Sequence, residues 1–212
     1  GIAADGRCEL YTVNVWTDDC DQGIYLANGT QARIQAGRNG YNAINGNGVQ
    51  FIRHSHGSVG YNGSAADVTG ATGTAFIGGS YGMMLQEFSM AHADYCYFDT
   101  QVNAGIICNH SRIHTVSSTF DTNPIGVDGR MNSNIGITDP TFTACTNDVY
   151  CRSGSILAGA DIVENEALFF TAPSRENDAV VSSNATASPV TSYSRVVFQK
   201  EFQNRGTGFD LE

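Results

Sequence analysis

Lysine occurs once in this chain of 212 residues, at Lys200, and every other basic residue is arginine. Proline is held to 4 residues and charged side chains to 15%. Acidic residues outnumber basic ones by 21 to 11, for a formal net charge of −10. That balance argues against nucleic acid, whose phosphates need basic patches, and against anionic membrane surfaces. No apolar run approaches the ~20 residues that span a bilayer, so no membrane insertion is expected. A signal-peptide pattern and an initiator Met are both missing, and the opening GIAADG reads as the start of a fragment or of a mature chain. Cys8, Cys20, Cys96, Cys108, Cys145 and Cys151 make no Cys-x-x-Cys pair and no zinc spacing. They are too sparse for a disulfide scaffold, so most should be small buried thiols, with one or two bridges and the redox compartment left open. Also missing is any convincing amphipathic helix of ten residues.

What is present is glycine, 24 residues of it, with abundant Asn, Ser and Thr. This mixture forms helices poorly and turns and strands well. At 41% hydrophobic the chain is too apolar to be disordered. Its length suits one domain or at most two. The four Asn-x-Ser/Thr sites, at Asn28, Asn62, Asn109 and Asn184, are no more than chance supplies in such a composition.

The strongest signal is a repeat. HADYCYFDT begins at His92 and HTVSSTFDT at His114, a step of 22 residues. Phe76, Phe98, Phe120 and Phe142 follow the same step, as do Ala91, Ile113, Ile135 and Leu157. Two further rows fit it: Leu85, Ile107, Gly129 and Cys151, and Met83, Gly105, Val127 and Val149. Each unit holds short β-rich runs, such as TAFIGG, YCYFDT, SSTFDT and TFTACT, followed by apolar patches such as MML, GIIC and DVYC. Helical solenoids need two helices per repeat, leucine-rich repeats need more leucine, and propeller blades need ~40 residues. A parallel β-helix remains. Turns of about 22 residues stack at the strand spacing of ~4.8 Å, and equivalent residues sit above one another.

The fold class expected is therefore all-β, a parallel β-helix over residues 1–172 with a C-terminal β cap, or the start of another β region, over 173–212. YTVNVW (11–16), ARIQAG (32–37) and VQFI (49–52) read as strands whose spacing of 17 to 21 implies shorter or offset turns. GSVGYNGSAADVTGATG (57–73) reads as an insertion loop. Unpaired strand edges at the ends of a solenoid need capping, which is the role given to the C-terminal region.

Turn length and stacked columns over residues 8–172 resemble the right-handed parallel β-helix of the pectate-lyase-like superfamily, and most closely its bacteriophage tailspikes and tail fibres. The resemblance implies a homotrimer that binds, and often cleaves, bacterial surface polysaccharide, on the virion tail or otherwise outside the cell. Pectate lyases carry carboxylate clusters for calcium and a catalytic Arg; polygalacturonase-like hydrolases carry Asn-x-Asp, Asp-Asp and Gly-His-Gly. Asp18-Asp19 is a bare Asp-Asp without the other two motifs, so no catalytic residue is carried over.

Candidate residues come from the repeat itself. Asp99 and Asp121 follow inward Phe residues, so alternation turns them outward on neighbouring turns. Two carboxylates ~5 Å apart match the separation in retaining glycosidases, and their repulsion would raise one pKa. Against this, Asp-Thr recurs wherever a strand must end and bond the following backbone. His92 and His114 stack likewise and could face a metal, yet no third ligand of clear spacing accompanies them, so no metal and no cofactor are expected. His54 and His56 in RHSHG should share one strand face, near Arg53. Asp94, Tyr95 and Tyr97, beside Asp99, form the densest aromatic and acidic patch, suited to sugar rings or to a protomer interface. With His92 and His114 they are the expected glycan-binding residues. Three functions follow: a glycan-recognising tail segment, a polysaccharide lyase or glycoside hydrolase using Asp99 and Asp121, or a purely structural virion, adhesin or filament solenoid.

Overall fold

The computed structural model describes residues 1–35, 37–41, 46–60, 73–151, 153 and 155–160, together with the strand backbones Phe169–Thr171, Ala179–Ser182 and Arg195–Phe198. The described residues contain strands, turns and bends and no helix. The strands recur in threes, and each member of a triplet joins a different sheet, where it runs parallel to its counterparts; among the described residues only Ala179–Ser182, toward the end of the first sheet, pairs antiparallel, with Asn147–Cys151 and Phe169–Thr171. The first sheet stacks Ile2–Asp5, Gln22–Ala27, Asn47–Phe51, Tyr81–Gln86, Ala104–Asn109, Ile125–Arg130 and Asn147–Cys151. The second stacks Glu9–Val13, Gln31–Gln35, His56–Val59, Met90–Asp94, Arg112–Val116, Asn134–Thr138 and Ile156–Ala160. Shorter strands make the third: Thr17–Asp18, Gly37–Tyr41, Thr74–Ile77, Cys96–Asp99, Thr119–Asp121 and Thr141–Thr143. The chain is a parallel β-solenoid of about six turns of ~22 residues.

Alternation turns every second side chain into one shared core. Phe76, Phe98, Phe120 and Phe142 pair in register on the third sheet. Their rings stack with centroids 4.8, 4.9 and 5.0 Å apart, close to the spacing of the strands that carry them. Opposite this stack the first sheet presents glycines. Gly82, Gly105 and Gly126 occupy one row, and a Cβ on each would lie 2.5 to 2.8 Å from a Phe ring carbon. The rings fill the space that side chains on those strands would take.

Size compensation also links the first two sheets. Gly129 faces the Ile135 side chain so closely that a Cβ would collide, and a Cβ on Gly57 would press against the Phe51 ring at 3.1 Å and collide with the Ala32 carbonyl oxygen. A large residue on one sheet is thus met by none on the other, which keeps each layer at interior density.

Three corners close each turn, and they share one device. A residue with left-handed backbone makes the bend, and a small polar residue then points inward. Tyr95, Ser117, Thr100, Thr122, His110 and Phe88 have φ between 47° and 64°. Cys96, Ser118, Gln101, Asn123, Ser111 and Ser89 follow them, all buried. The inward side chains then bond up and down the stack. Ser89 N donates to Ser111 Oγ at 3.2 Å, Ser111 N to Ser133 Oγ at 3.4 Å, and Ser133 N to Ser155 Oγ at 3.2 Å. Cys96 N reaches Ser118 Oγ and Gln101 N reaches Asn123 Oδ1, again 22 residues away. Apart from Ser89, whose N–H also reaches the Gln86 carbonyl oxygen at 3.3 Å, these bonds satisfy backbone donors that a corner would otherwise bury unpaired.

The register corrects the repeat in two rows. Met83 pairs with Ile106, not Gly105, and Leu85 with Cys108, not Ile107. The bend before Ala104 carries one residue more than the bend before Ile125, and the bend before Arg112 one fewer than that before Asn134. Strand Ala104–Asn109 is therefore displaced by one position while its neighbours keep the step of 22. Val102, 60% exposed, sits in the longer bend.

The first turns are not shorter than the rest. Ile2 pairs with Ile24 and Leu10 with Ala32, steps of 22, and Ile24 pairs with Val49, a step of 25. The spacing of 17 arose because ARIQAG lies on the second sheet and VQFI on the first. His56–Val59 is a regular strand, so the insertion begins after it; residues 61–72 lie outside the described residues. Gly57 pairs with Ala91, a step of 34, as an insertion of about half a turn requires. The boundary at 172/173 and most of the expected cap also lie outside the described residues. None of the six cysteines is bridged in a disulfide, and Cys96, Cys108, Cys145 and Cys151 are buried.

Candidate functional site

On the outer face of the second sheet, one row runs Tyr11, Arg33, Ser58, His92, His114 and Gly136. Beside it runs Glu9, Gln31, His56, Met90, Arg112 and Asn134. Between them lies a depression in two lobes. The larger, about 590 Å³, extends from Tyr11 to His92. The smaller, about 330 Å³, extends from His92 to Gly136. Met90 and His92 line both, so the lobes form one groove along the stacking direction.

The groove wall offers aromatic, amide, imidazole and guanidinium groups. The Arg33 guanidinium lies 5.9 Å from the centre of the Tyr11 ring, within reach of a cation–π attraction. The Tyr11 hydroxyl donates to Gln35 Oε1 at 2.9 Å, and Gln31 Nε2 lies 2.7 Å from His56 Nε2. These contacts hold the side chains in defined positions, while Tyr11 stays 61% exposed.

His92 and His114 pair directly, their rings edge to face with centroids 5.3 Å apart. Asp94, two residues beyond His92, points to the same side of the strand. Its carboxyl lies close enough for one donor atom from each of the three residues to fall within 4.8 Å of the others. Burial pushes the Asp94 pKa up, and the two imidazoles and a backbone hydrogen bond from Val116 pull it partly back. Spacing from turn to turn hid this third donor, because it comes from the same strand as His92.

The expected patch from Asp94 to Asp99 is divided by a corner. Tyr95 is the left-handed residue of that corner, with φ of 55°. Asp94 stays on the second sheet, whereas Tyr97, Asp99 and Asp121 lie on the outer face of the third. Asp99 and Asp121 pair in register. Asp121 accepts from the Tyr97 hydroxyl at 3.1 Å and from Thr122 Oγ1 at 3.0 Å. Burial, and then the neighbouring Asp121 charge, raises the Asp99 pKa. Tyr97 is raised as well, by burial and by both aspartates.

His54 and His56 do not share a strand face. His54 is a left-handed corner residue with φ of 62°, Ser55 turns inward, and only His56 joins the sheet. His54 stacks on Phe88 at 5.6 Å, and Phe88 meets His110 at 5.9 Å. With Met131 these residues form an exposed ridge along one corner. Tyr11, Gln31 and Arg33 joined the groove unforeseen, because the steps of 25 and 34 separate them from His92 in the sequence.

No protein-family model matches the sequence, and comparison with curated proteins and with solved structures yields no match either.

Proposed function

We propose that this solenoid is a glycan-recognition segment that works outside the cell, as part of a phage tailspike or tail fibre, and binds bacterial surface polysaccharide. The observation that carries the reading is the groove from Tyr11 to Gly136. An aromatic face can stack on a sugar ring while fixed polar groups meet its hydroxyls. Stacked turns set lining residues at a constant interval of ~4.8 Å, which suits a ligand that is itself a repeat. A chain of net charge −10 favours a neutral polymer over a strongly anionic one. The exposed ridge through Phe88 and Met131 runs along the stacking direction, as a face for side-by-side packing of three copies would. Binding should be measured by calorimetry against a panel of capsular and lipopolysaccharide glycans, with Tyr11→Ala and Arg33→Ala alongside. Saturable binding that both variants weaken at least tenfold supports the groove. Unchanged binding in both, or none across the panel, rejects it.

A second reading, a polysaccharide depolymerase, rests on the unequal environments of Asp99 and Asp121. Neighbouring strands lie ~4.8 Å apart, near the ~5–5.5 Å between carboxyls in retaining glycosidases. Asp99, whose pKa is raised by burial and by the neighbouring Asp121 charge, would serve as the acid, and Asp121, hydrogen-bonded to Tyr97 and Thr122, as the nucleophile. Asp99→Asn and Asp121→Asn should each keep the fold and abolish cleavage; activity retained in both removes them from that role.

A further inference from the structure

We infer that His92, Asp94 and His114 form a binding site for a divalent transition metal ion of the zinc type. Three donors converge from two neighbouring strands, with ligating atoms all within 4.8 Å of one another. A second observation points to a missing partner. Asp94 Oδ1 is buried and has no hydrogen-bond partner among the described residues. A buried carboxylate oxygen left unpaired costs free energy that a cation would return.

The donor set selects the ion. Two imidazoles and one carboxylate suit zinc and its neighbours in the transition series, whereas calcium and magnesium prefer oxygen alone. A tetrahedral zinc with bonds of about 2.0–2.2 Å sets its donors about 3.3 Å apart. Rotation about side-chain bonds of His92 and His114 can close the remaining distance without moving the strands.

The sheet leaves room for the ion. Ser58 lies on one side of the histidine pair and Gly136 on the other. A Cβ at position 136 would sit 2.7 Å from His114 Cδ2, so glycine there frees the ring to turn. The backbone hydrogen bond from Val116 helps to orient Asp94, the kind of outer support that ligating carboxylates use. Three protein donors leave a fourth position open to water or to a ligand from the groove, since His92 is exposed. The site stands whether or not a saccharide binds, although His92 belongs to both.

The test uses the full chain, stripped with a chelator and titrated with Zn²⁺ by calorimetry and with Co²⁺ by visible absorption. One equivalent of Zn²⁺ should bind, and Co²⁺ should give tetrahedral bands without a thiolate charge-transfer band. His92→Ala, Asp94→Asn and His114→Ala should each weaken Zn²⁺ at least tenfold, with circular dichroism unchanged. His54→Ala and His56→Ala should leave the affinity as it was. No stoichiometric binding overturns the site. So does binding that survives the His92→Ala/His114→Ala double variant, or a Co²⁺ spectrum with thiolate bands, which would move the ion to Cys8 or Cys20.

Discussion

Phe98 is fully buried between two other phenylalanines, and its ring is bounded on the far side by glycine. Cutting it to alanine opens a cavity that fixed strands cannot collapse into. Phe98→Ala should cost about 3–5 kcal/mol, read from chemical denaturation. The converse change is Gly105→Ala, whose new methyl would meet a Phe120 ring carbon at 2.8 Å and the Gly126 carbonyl oxygen at the same distance. It should destabilise by about 1–3 kcal/mol, and a neutral result would contradict the packing of glycine against ring. The acids behave differently. Asp99 is raised above its ordinary value of 3.8, so the folded state holds this proton more tightly than the unfolded one. Its ionisation therefore lowers stability as pH rises from about 4 through the raised value. Asp99→Asn should melt higher than the parent at pH 7 and equally at pH 3. A parent that melts higher at pH 7 would mean the carboxylate is stabilised after all.

At the scale of one element, the corner keeps its backbone device even where its length changes. Its left-handed residue is seldom glycine. Phe88, Tyr95 and His110 all adopt φ near 50° to 64°, although bulky side chains avoid that region. The stacked turns impose it, because each such residue donates its N–H to a carbonyl on the next turn: Tyr95 to Val116, His110 to Arg130. The inward serine then completes the bend. Ser111→Ala would remove the Ser89 N–H bond along the stack and leave only its bond to the Gln86 carbonyl oxygen at 3.3 Å, and should cost about 0.5–1.5 kcal/mol. Amide exchange at Ser89 should quicken with it. Sequence patterning misses this ladder when only apolar residues are scored, yet Ser89, Ser111, Ser133 and Ser155 keep a step of 22 throughout.

For the whole molecule, oligomeric state separates the proposed roles. Light scattering on a sizing column should give about three times 22.6 kDa if the tailspike reading holds. Phe88→Ser, on the exposed corner ridge, should shift that mass toward the monomer. A parent that is already monomeric would remove the trimer. The solenoid can tolerate such surface changes because its core is closed by stacking alone, turn upon turn.

The repeat, and with it the parallel β-solenoid, was legible in the chain of residues alone. A side chain that must lie above its own counterpart is forced to recur at the length of a turn, so Phe76, Phe98, Phe120 and Phe142 announce the stack before any coordinates. Outward alternation of Asp99 and Asp121, and the pairing of His92 with His114, followed from the same step. What the corners do emerges once the turns are stacked. A corner of three residues can gain one and let the next corner lose one, which moved Gly105 out of the row of Met83 and into the glycine row beside Phe120. A corner at Tyr95 also separated Asp94 from Tyr97. In exchange, uneven early turns brought Tyr11, Arg33 and His56 beside His92 in one groove. Periodicity fixes which residues share a column. The length of each bend fixes which columns meet, and a site is made where they meet.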